Sequence, residues 1–300
     1  MKKLLISLIS IFTLNSKSIS YQSYALSSMA SIKKVPASKL GVSEPPPDWF
    51  GNPPNVCTST WTNKNWLKSR FHFSFAEYSN PRNQIFGVLR VMNDDLVQPA
   101  RGFGEHPHRD VEICTYIVEG SLTHKDSMGT AETLTRGDIQ FMSAGNGITH
   151  SEHNLDSSNP LRFIQIWITT RQRGIKPVYG SSISKEENRL NQWAHLVKDI
   201  KDTSVDCPIS ISQDANIFVA EIDSGKTINF ELKEGRQSYL LCIEGDVSIQ
   251  GSPSSIQLSR HDAAEIIGKQ QLSFSSQNDS KAHLLMVEMK HENGSGRTDL

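Results

Sequence analysis

The segments GFGEHPH at residues 102–108 and HSE at residues 150–152 are the most informative parts of the chain. Each segment places two good metal-binding side chains at positions i and i+2. On an extended strand such side chains point to the same face, so each segment can present a pair of ligands to one ion. If the two strands face each other, they form a four-ligand site from His106, His108, His150 and Glu152.

The surrounding sequence has the pattern of short β-strands separated by turns. Residues 111–119 and 161–169 are rich in β-branched and aromatic residues, and residues 127–130 have the composition of a hairpin turn. A further turn is predicted at Asn93-Asp94-Asp95, because these side chains readily hydrogen-bond to their own backbone. Short strands at intervals of about ten residues are typical of a β-sandwich or barrel, so the sequence predicts an all-β fold.

A second region repeats this rhythm and indicates an internal duplication. Glu244-Gly245 precedes a strand in the second half, as Glu119-Gly120 does in the first. Between the halves, a polar stretch that begins at Ser184 is predicted to form a short helix with that serine as its N-cap. We therefore predict a metal-binding β-domain at residues 56–175, a connection with a short helix at 176–208, and a second β-domain without metal at 209–291.

The amino end has the pattern of a targeting leader. Residues 1–20 combine two early lysines with an apolar run at 4–14, as in a secretory signal peptide. Residues 21–55 are rich in Ser, Lys and Pro and are interpreted as a linker or a second targeting segment. We expect entry into the secretory pathway, to the endoplasmic reticulum or a plastid, whereas a start at Met29 would leave the protein in the cytoplasm or nucleus. The apolar run is too short to span a membrane, so no span is expected in the mature form, and residues 292–300 are interpreted as a tail.

Composition and charge exclude several other classes of protein. The 31 basic and 32 acidic residues give a formal charge of −1, and no Lys/Arg block indicates direct binding to nucleic acid. The four cysteines are far apart in sequence and form no CxxC pair, which excludes a zinc ribbon or a disulfide-dense scaffold. No pattern in the sequence predicts an oligomeric state.

The four candidate ligands define a class of metal. Three imidazoles and one carboxylate suit divalent iron, nickel, manganese, copper, cobalt or zinc, and do not suit calcium or magnesium. An octahedral ion would keep two open positions, whereas a tetrahedral zinc ion would be closed and structural. The absence of cysteine from the set favours the open site. Glu112 and Gln165 are candidate hydrogen-bond partners of the ligands, and His124 and His153 are predicted to be surface residues.

Two longer motifs resemble the conserved motifs of pirins, a family of the cupin superfamily. The first is GFGxHPHRDxE at residues 102–112, followed by YxxEG at 116–120. The second is GDxQxMSAGxGIxHSE at residues 137–152. RVMNDD at residues 90–95 and FHFSF at 71–75 match flanking pirin segments. The resemblance is closest to the bacterial pirin-like quercetinases.

The resemblance implies a bicupin, in which two β-sandwich barrels face each other and the first one holds metal. It implies one divalent transition metal, most often Fe²⁺, bound by the residues that match His106, His108, His150 and Glu152. Quercetinases open flavonols with O₂ and release carbon monoxide, which implies a small aromatic substrate, and we take Glu152 as the catalytic base. Other pirins are nuclear regulators. An iron-dependent redox sensor with a protein partner and little turnover is therefore the alternative, and a purely structural metal is a third.

Overall fold

The computed structural model describes residues 30–291. Within this range there are 3₁₀-helices at Ala37–Lys39, Pro47–Phe50 and Glu186–Asn188, and no α-helix. The first strands are β1 Ser31–Val35, β2 Gly41–Ser43, β3 Leu67–Phe71, β4 Leu89–Val97, β5 Gly102–His108, β6 Val111–Glu119, β7 Ser121–Asp126, β8 Ala131–Thr135, β9 Ile139–Ser143, β10 Ile148–His153, β11 Leu161–Thr169 and β12 Val178–Ser182. The remaining strands are β13 Ala194–Asp199, β14 Ile209–Ile211, β15 Ala215–Ile222, β16 Thr227–Leu232, β17 Arg236–Glu244, β18 Asp246–Gln250, β19 Ser255–Ser259, β20 Ala263–Ile267, β21 Gln270–Ser276 and β22 Ala282–Lys290.

The strands form two β-sandwiches, each built from a seven-stranded and a four-stranded sheet. In the first sandwich the order β12-β9-β6-β11-β4-β3-β2 faces β5-β10-β7-β8. In the second, β1-β20-β17-β22-β15-β13-β14 faces β16-β21-β18-β19. The two large sheets share one buried core, in which Met92 and Tyr116 of the first domain join Val219 and Tyr239 of the second. The predicted all-β architecture of two cupin domains face to face is confirmed.

The interior of the second domain explains why the fold persists there without the ligands. Its inner faces are filled by buried apolar side chains, among them Ile228, Leu232, Leu272 and Phe274. Tight apolar packing stabilises a sandwich through burial of surface, so this interior needs no metal to hold it together. Within the described part of the chain, the clusters of metal-binding side chains occur in the first domain.

Three local expectations differ from the structure. Part of the segment interpreted as a linker is ordered in the fold, because Ile32 and Leu40 are buried and β1 pairs with β20. The predicted helix is a 3₁₀-helix of three residues flanked by Lys185, and Ser184 is not its N-cap. The residues after it form β13, since antiparallel pairing with β15 outweighs helix propensity. Asn93-Asp94-Asp95 forms the middle of β4 and is no turn.

The predicted targeting leader lies largely outside the residues that the structure describes. The predicted signal peptide at residues 1–20 and the tail at 292–300 lie outside the described residues, so the expected location stays a prediction. Among residues 30–291, no helix has the length and apolar content required to span a membrane.

Candidate metal centre

Strands β5 and β10 bring the two ligand-bearing segments together. They pair antiparallel with His150 directly opposite His106, and the ring centroids of these residues are 4.6 Å apart. His108 completes a triangle, with its ring centroid 4.8 Å from both of the others. The close approach of the strands depends on Gly102, because a Cβ there would collide with the backbone oxygen of Glu152. The structure therefore assembles the three predicted imidazoles at one place.

Glu152 is joined to this cluster through His150. A carboxylate oxygen of Glu152 lies within 4.8 Å of ring nitrogens of His150 and His124. His106 and His108 form a separate triad with His150. The carboxylate accepts hydrogen bonds from Gln140 Nε2 at 2.6 Å, Thr115 Oγ1 at 3.1 Å and Gln165 Nε2 at 2.9 Å. These donors hold the carboxylate in one orientation. Gln165 thus contacts a candidate ligand, as predicted, but that ligand is the carboxylate and not an imidazole.

The imidazoles are prepared to bind a metal ion. His106 Nδ1 lies 2.7 Å from the carbonyl oxygen of Gly104, which assigns the proton to Nδ1 and leaves Nε2 as a lone-pair donor. His150 is 2% exposed, and its Nε2 is buried without a hydrogen-bond partner in the described structure. Burial, together with the neighbouring imidazoles, lowers the pKa of His108 and that of His150 to about 3. Neutral imidazoles are the ligand form, so this set fits a divalent transition metal.

His124 is buried, which corrects the expectation that it lies on the surface. Its ring stacks on Tyr179 with centroids 4.7 Å apart. Its Nε2 lies 3.2 Å from Asp126 Oδ2, and its Nδ1 lies 3.5 Å from His150 Nδ1. The sequence missed this role because the contact depends on the pairing of β7 with β10. Glu112 is buried as well, but it accepts from Thr170 at 3.0 Å and forms no hydrogen bond with the histidines in the described structure.

Replacement of His124 by phenylalanine is expected to weaken metal binding by roughly 10- to 100-fold. Asp126 accepts the Nε2 proton, so Nδ1 of His124 can accept the Nδ1 proton of His150 and leave Nε2 of His150 for the metal. Phenylalanine keeps the ring stacking and removes the acceptor. Competition with a chromophoric chelator measures the change, with His195→Phe, stacked on Phe218 in the second domain, as the matched control. Equal affinities for the His124 variant and the wild-type protein would contradict this relay.

A cavity of about 250 Å³ opens beside the histidines. Most of the apolar residues in its wall are aromatic, and Trp167 lies edge-on to His108 with ring centroids 4.9 Å apart. Ser69, Asn93 and Asp95 provide a small polar area in this wall. The aromatic residues that line it are Trp49, Phe50, Phe71, Phe75, Phe103 and Trp167. A cavity with flat apolar walls and few polar groups is suited to a planar aromatic ligand.

Asp95 is an unusual group in this wall. It is 4% exposed and accepts a hydrogen bond from Ser69. Burial raises the pKa of Asp95, the hydrogen bond from Ser69 lowers it in part, and the neighbouring charges of Asp94 and Glu152 raise it, so that the pKa is about 8. At neutral pH the carboxyl group is therefore mostly protonated and can act as a hydrogen-bond donor.

Because this carboxyl group binds its proton more tightly in the folded state, the stability of the metal-free protein should fall as pH rises. The folded state retains the proton between the unfolded pKa, near 4, and the folded pKa of about 8. Across that window Asp95 contributes a slope of up to about −1.4 kcal/mol per pH unit to the free energy of unfolding. Urea titrations from pH 5 to pH 8 should show this slope in the wild-type protein and in Glu187→Gln, an exposed control. Asp95→Asn should show a flatter profile, and parallel profiles would contradict the assignment.

Similarity to known proteins extends across both domains. Residues 55–168 match the model of the family described as Pirin, and residues 202–289 match that of the Quercetinase C-terminal cupin domain. The quercetin 2,3-dioxygenase of Escherichia coli K12 is 36% identical over 226 residues, which covers 74% of this chain and 92% of that protein. A pirin-like protein of Caulobacter vibrioides is 36% identical over 223 residues, with coverage of 74% and 92%. The structure of the bacterial pirin YhhW from Escherichia coli with nickel(II) gives a TM-score of 0.71 at 30% identity, covering 87% of this chain and 100% of that one.

Proposed function

Since the chain belongs to the pirin family of bicupins, we propose that it is a metal-dependent dioxygenase of the quercetinase type. One observation carries the proposal: a cluster of three imidazoles and a fixed carboxylate lies beside a cavity whose apolar wall is mainly aromatic. Catalytic sites that bind small ligands combine such walls with a few convergent polar groups. The quercetin 2,3-dioxygenase name of the Escherichia coli relative supports the same reaction class.

The metal is proposed to be a divalent transition ion held by His106, His108, His150 and Glu152, with Fe²⁺ as the first choice. When bound, it would supply Lewis-acid and redox chemistry for a flavonol and O₂. Nickel(II) is present in the structure of YhhW, which supports a divalent ion of this size in the family. The lowered pKa values of His108 and His150, caused mainly by burial, keep these two imidazoles neutral and able to bind the ion at neutral pH.

The chain's own groups bind and orient the substrate. The aromatic walls can stack on the flat rings of a flavonol and exclude water from them. Glu152 borders the cavity, and its carboxylate is a candidate base for the 3-hydroxyl proton of the flavonol. The hydrogen bonds from Gln140, Thr115 and Gln165 keep this carboxylate aimed in one direction. In the overall reaction, both oxygen atoms of O₂ end in the products and one ring carbon leaves as carbon monoxide.

Elemental analysis combined with an oxygen electrode tests the proposal. Purified protein loaded with Fe²⁺ should consume one O₂ and release one carbon monoxide for each quercetin that disappears. The same protein stripped with a chelator should do neither, and activity should return when the metal is restored. Protein that carries stoichiometric metal, yet neither consumes O₂ nor releases carbon monoxide with quercetin, would contradict the dioxygenase and favour the regulatory alternative.

A further inference from the structure

Three polar side chains on neighbouring strands form a compact group in the wall of the cavity, which Ser43, Glu77 and Gln165 also line. Asn93 and Asp95 lie two positions apart on β4, so their side chains point to the same face. Ser69 lies directly opposite Asp95 on β3. All three are buried, with exposed fractions of 0% for Ser69, 3% for Asn93 and 4% for Asp95. We refer to Ser69, Asn93 and Asp95 as the polar subsite.

Asn93 is the member whose hydrogen bonding is incomplete. Its Oδ1 is buried and has no hydrogen-bond partner in the described structure. A buried polar atom without a partner costs about 1–3 kcal/mol, so such an atom calls for an explanation. Half a turn of the amide exchanges its oxygen and nitrogen, which allows either atom to meet a ligand in the cavity.

Trp167 Nε1, in the same cavity wall, also lacks a hydrogen-bond partner in the described structure, but the polar residues that lie in register with Asn93 have partners. Gln165 on β11 and Thr115 on β6 lie in register with Asn93, in one row across the inner face. Gln165 has a partner at both ends of its amide: Oε1 lies 2.9 Å from the Thr115 hydroxyl, whose single proton it shares with Glu152, and Nε2 donates to Glu152 at 2.9 Å. Gln165 and Thr115 thus hold Glu152 in place. Asn93 borders the cavity, and its Oδ1 remains available to a ligand.

Asp95 complements Asn93 in hydrogen-bonding character. The Ser69 hydroxyl donates to Oδ1 of Asp95, which fixes the carboxyl group against β3. Arg162 forms two hydrogen bonds of 2.8 Å with the neighbouring Asp94, and no ion pair joins a cation to Asp95 in the described structure. A buried carboxyl group without a cationic partner is most stable when protonated, and it then offers a donor to the cavity.

We propose that the polar subsite binds oxygen substituents on the rings of the aromatic substrate and so selects polyhydroxylated flavonols over unsubstituted ones. This inference rests on the proposed function. Asn93 accepts from a ring hydroxyl, and Asp95, positioned by Ser69, donates to a hydroxyl or carbonyl oxygen of the same ligand. A ligand without these substituents leaves both groups unpaired in a dry wall, which is how a hydrogen-bonding site rejects a close analogue.

Anaerobic binding titrations separate recognition from turnover. Quercetin and 3-hydroxyflavone share the 3-hydroxy-4-oxo group but differ in the hydroxyls on the other rings. Quenching of tryptophan fluorescence reports binding, because Trp49 and Trp167 border the cavity. The metal-loaded wild-type protein should bind quercetin at least roughly tenfold more tightly than 3-hydroxyflavone, the ratio that about 1.4 kcal/mol of hydrogen bonding gives.

Variants assign the preference to the polar subsite. Asn93→Leu and Asp95→Leu should each bring the affinity ratio close to one, mainly through weaker binding of quercetin. Asp95→Asn keeps a donor of the same shape and should retain most of the preference, whereas a role that requires a charged carboxylate would be lost in this variant. Asn229→Leu, an exposed substitution on β16 of the second domain, is the matched control.

The outcomes distinguish the two proposals. A wild-type ratio near one would overturn the polar subsite without any variant, even if quercetin is turned over. A wild-type ratio that persists in Asn93→Leu and Asp95→Leu would overturn it too, and the dioxygenase would stand. Failure of the metal-loaded protein to bind or oxidise any flavonol would overturn the proposed function and the polar subsite with it.

Discussion

His106→Ala is expected to abolish tight binding of a transition metal and, with it, the consumption of O₂ in the presence of quercetin. His106 supplies one of three imidazoles that lie within 4.8 Å of one another, and its Nε2 is the free donor atom. Loss of a partner that only orients a ligand already weakens metal binding by roughly 10- to 100-fold, so loss of the ligand itself should exceed that range. Inductively coupled plasma mass spectrometry of dialysed protein measures the metal content directly.

His153→Ala is the matched control for this experiment. His153 lies on β10 beside the cluster and is only half-buried, and its imidazole is outside both groups of candidate ligands. A chelator should lower the unfolding temperature of this control, because a ligand that binds only the folded state stabilises it by mass action. The same chelator should leave His106→Ala unchanged. Retention of stoichiometric metal by His106→Ala would count against the ligand set itself.

The ligand cluster could be predicted because the sequence pattern that indicates it is local. Two side chains at i and i+2 on a strand share a face whatever the rest of the fold does. The turns and short strands around His106 and His150 are also local, and they predict the sandwich correctly. Only the meeting of the two segments depends on tertiary pairing, and the glycine at position 102 is the one local sign of that close approach.

The cavity wall could not be predicted in the same way. Trp49 and Phe50 come from a segment whose Ser, Lys and Pro content suggested a linker, and they reach the site through a 3₁₀-helix. Phe50 lies edge-on to His106 with ring centroids 5.8 Å apart. The composition of a segment is an average and does not indicate contacts made by individual side chains. This contact depends on two side chains and on the short strand β2, which pairs with β3. A pair of aromatic residues inside a polar stretch was the available signal.

The prediction was also wrong for the buried polar residues of β4, because it relied on local turn propensity. Asn93-Asp94-Asp95 has strong turn propensity, yet it forms the centre of a strand. Each member has a specific burial site: Asn93 and Asp95 face the cavity, and Asp94 points toward the second domain. Local propensity is a weak prior when tertiary partners exist for each side chain. Departures from the expected pattern thus coincide with the residues that we connect to binding and to the domain interface.

Asp94→Ala is expected to destabilise the protein by about 3–5 kcal/mol, the usual cost of leaving a buried charge without its partner. Asp94 and Arg162 are 1% and 2% exposed and form two hydrogen bonds of 2.8 Å. Arg162 also donates to the Ile243 carbonyl oxygen at 2.9 Å, and His261 Nδ1 lies 2.6 Å from Asp94 Oδ2. Ile243 and His261 belong to the second domain, so the substitution weakens the contact between the two sandwiches.

Urea unfolding at pH 7 measures this loss. The control is Glu187→Ala, which removes one partner of an exposed ion pair with Lys185, where both side chains are more than 70% exposed. An exposed pair contributes little, so the control should change the free energy of unfolding by less than about 1 kcal/mol. A loss of similar size in both variants would show that the buried pair is not a special contributor to stability.

The pH dependence of unfolding provides an independent check on the same pair. Burial alone would raise the pKa of Asp94, but the charge and hydrogen bonds of Arg162, aided by His261, outweigh it and hold the pKa well below its usual range. A depressed pKa in the folded state means that the stabilisation is complete above the unfolded pKa, near 4, and is lost as pH falls further. The wild-type free energy of unfolding should therefore drop below pH 4, and Asp94→Ala should lose the part of that slope that this carboxylate contributes. Parallel acid profiles for the two proteins would mean that protonation of Asp94 does not contribute to the loss of stability in acid.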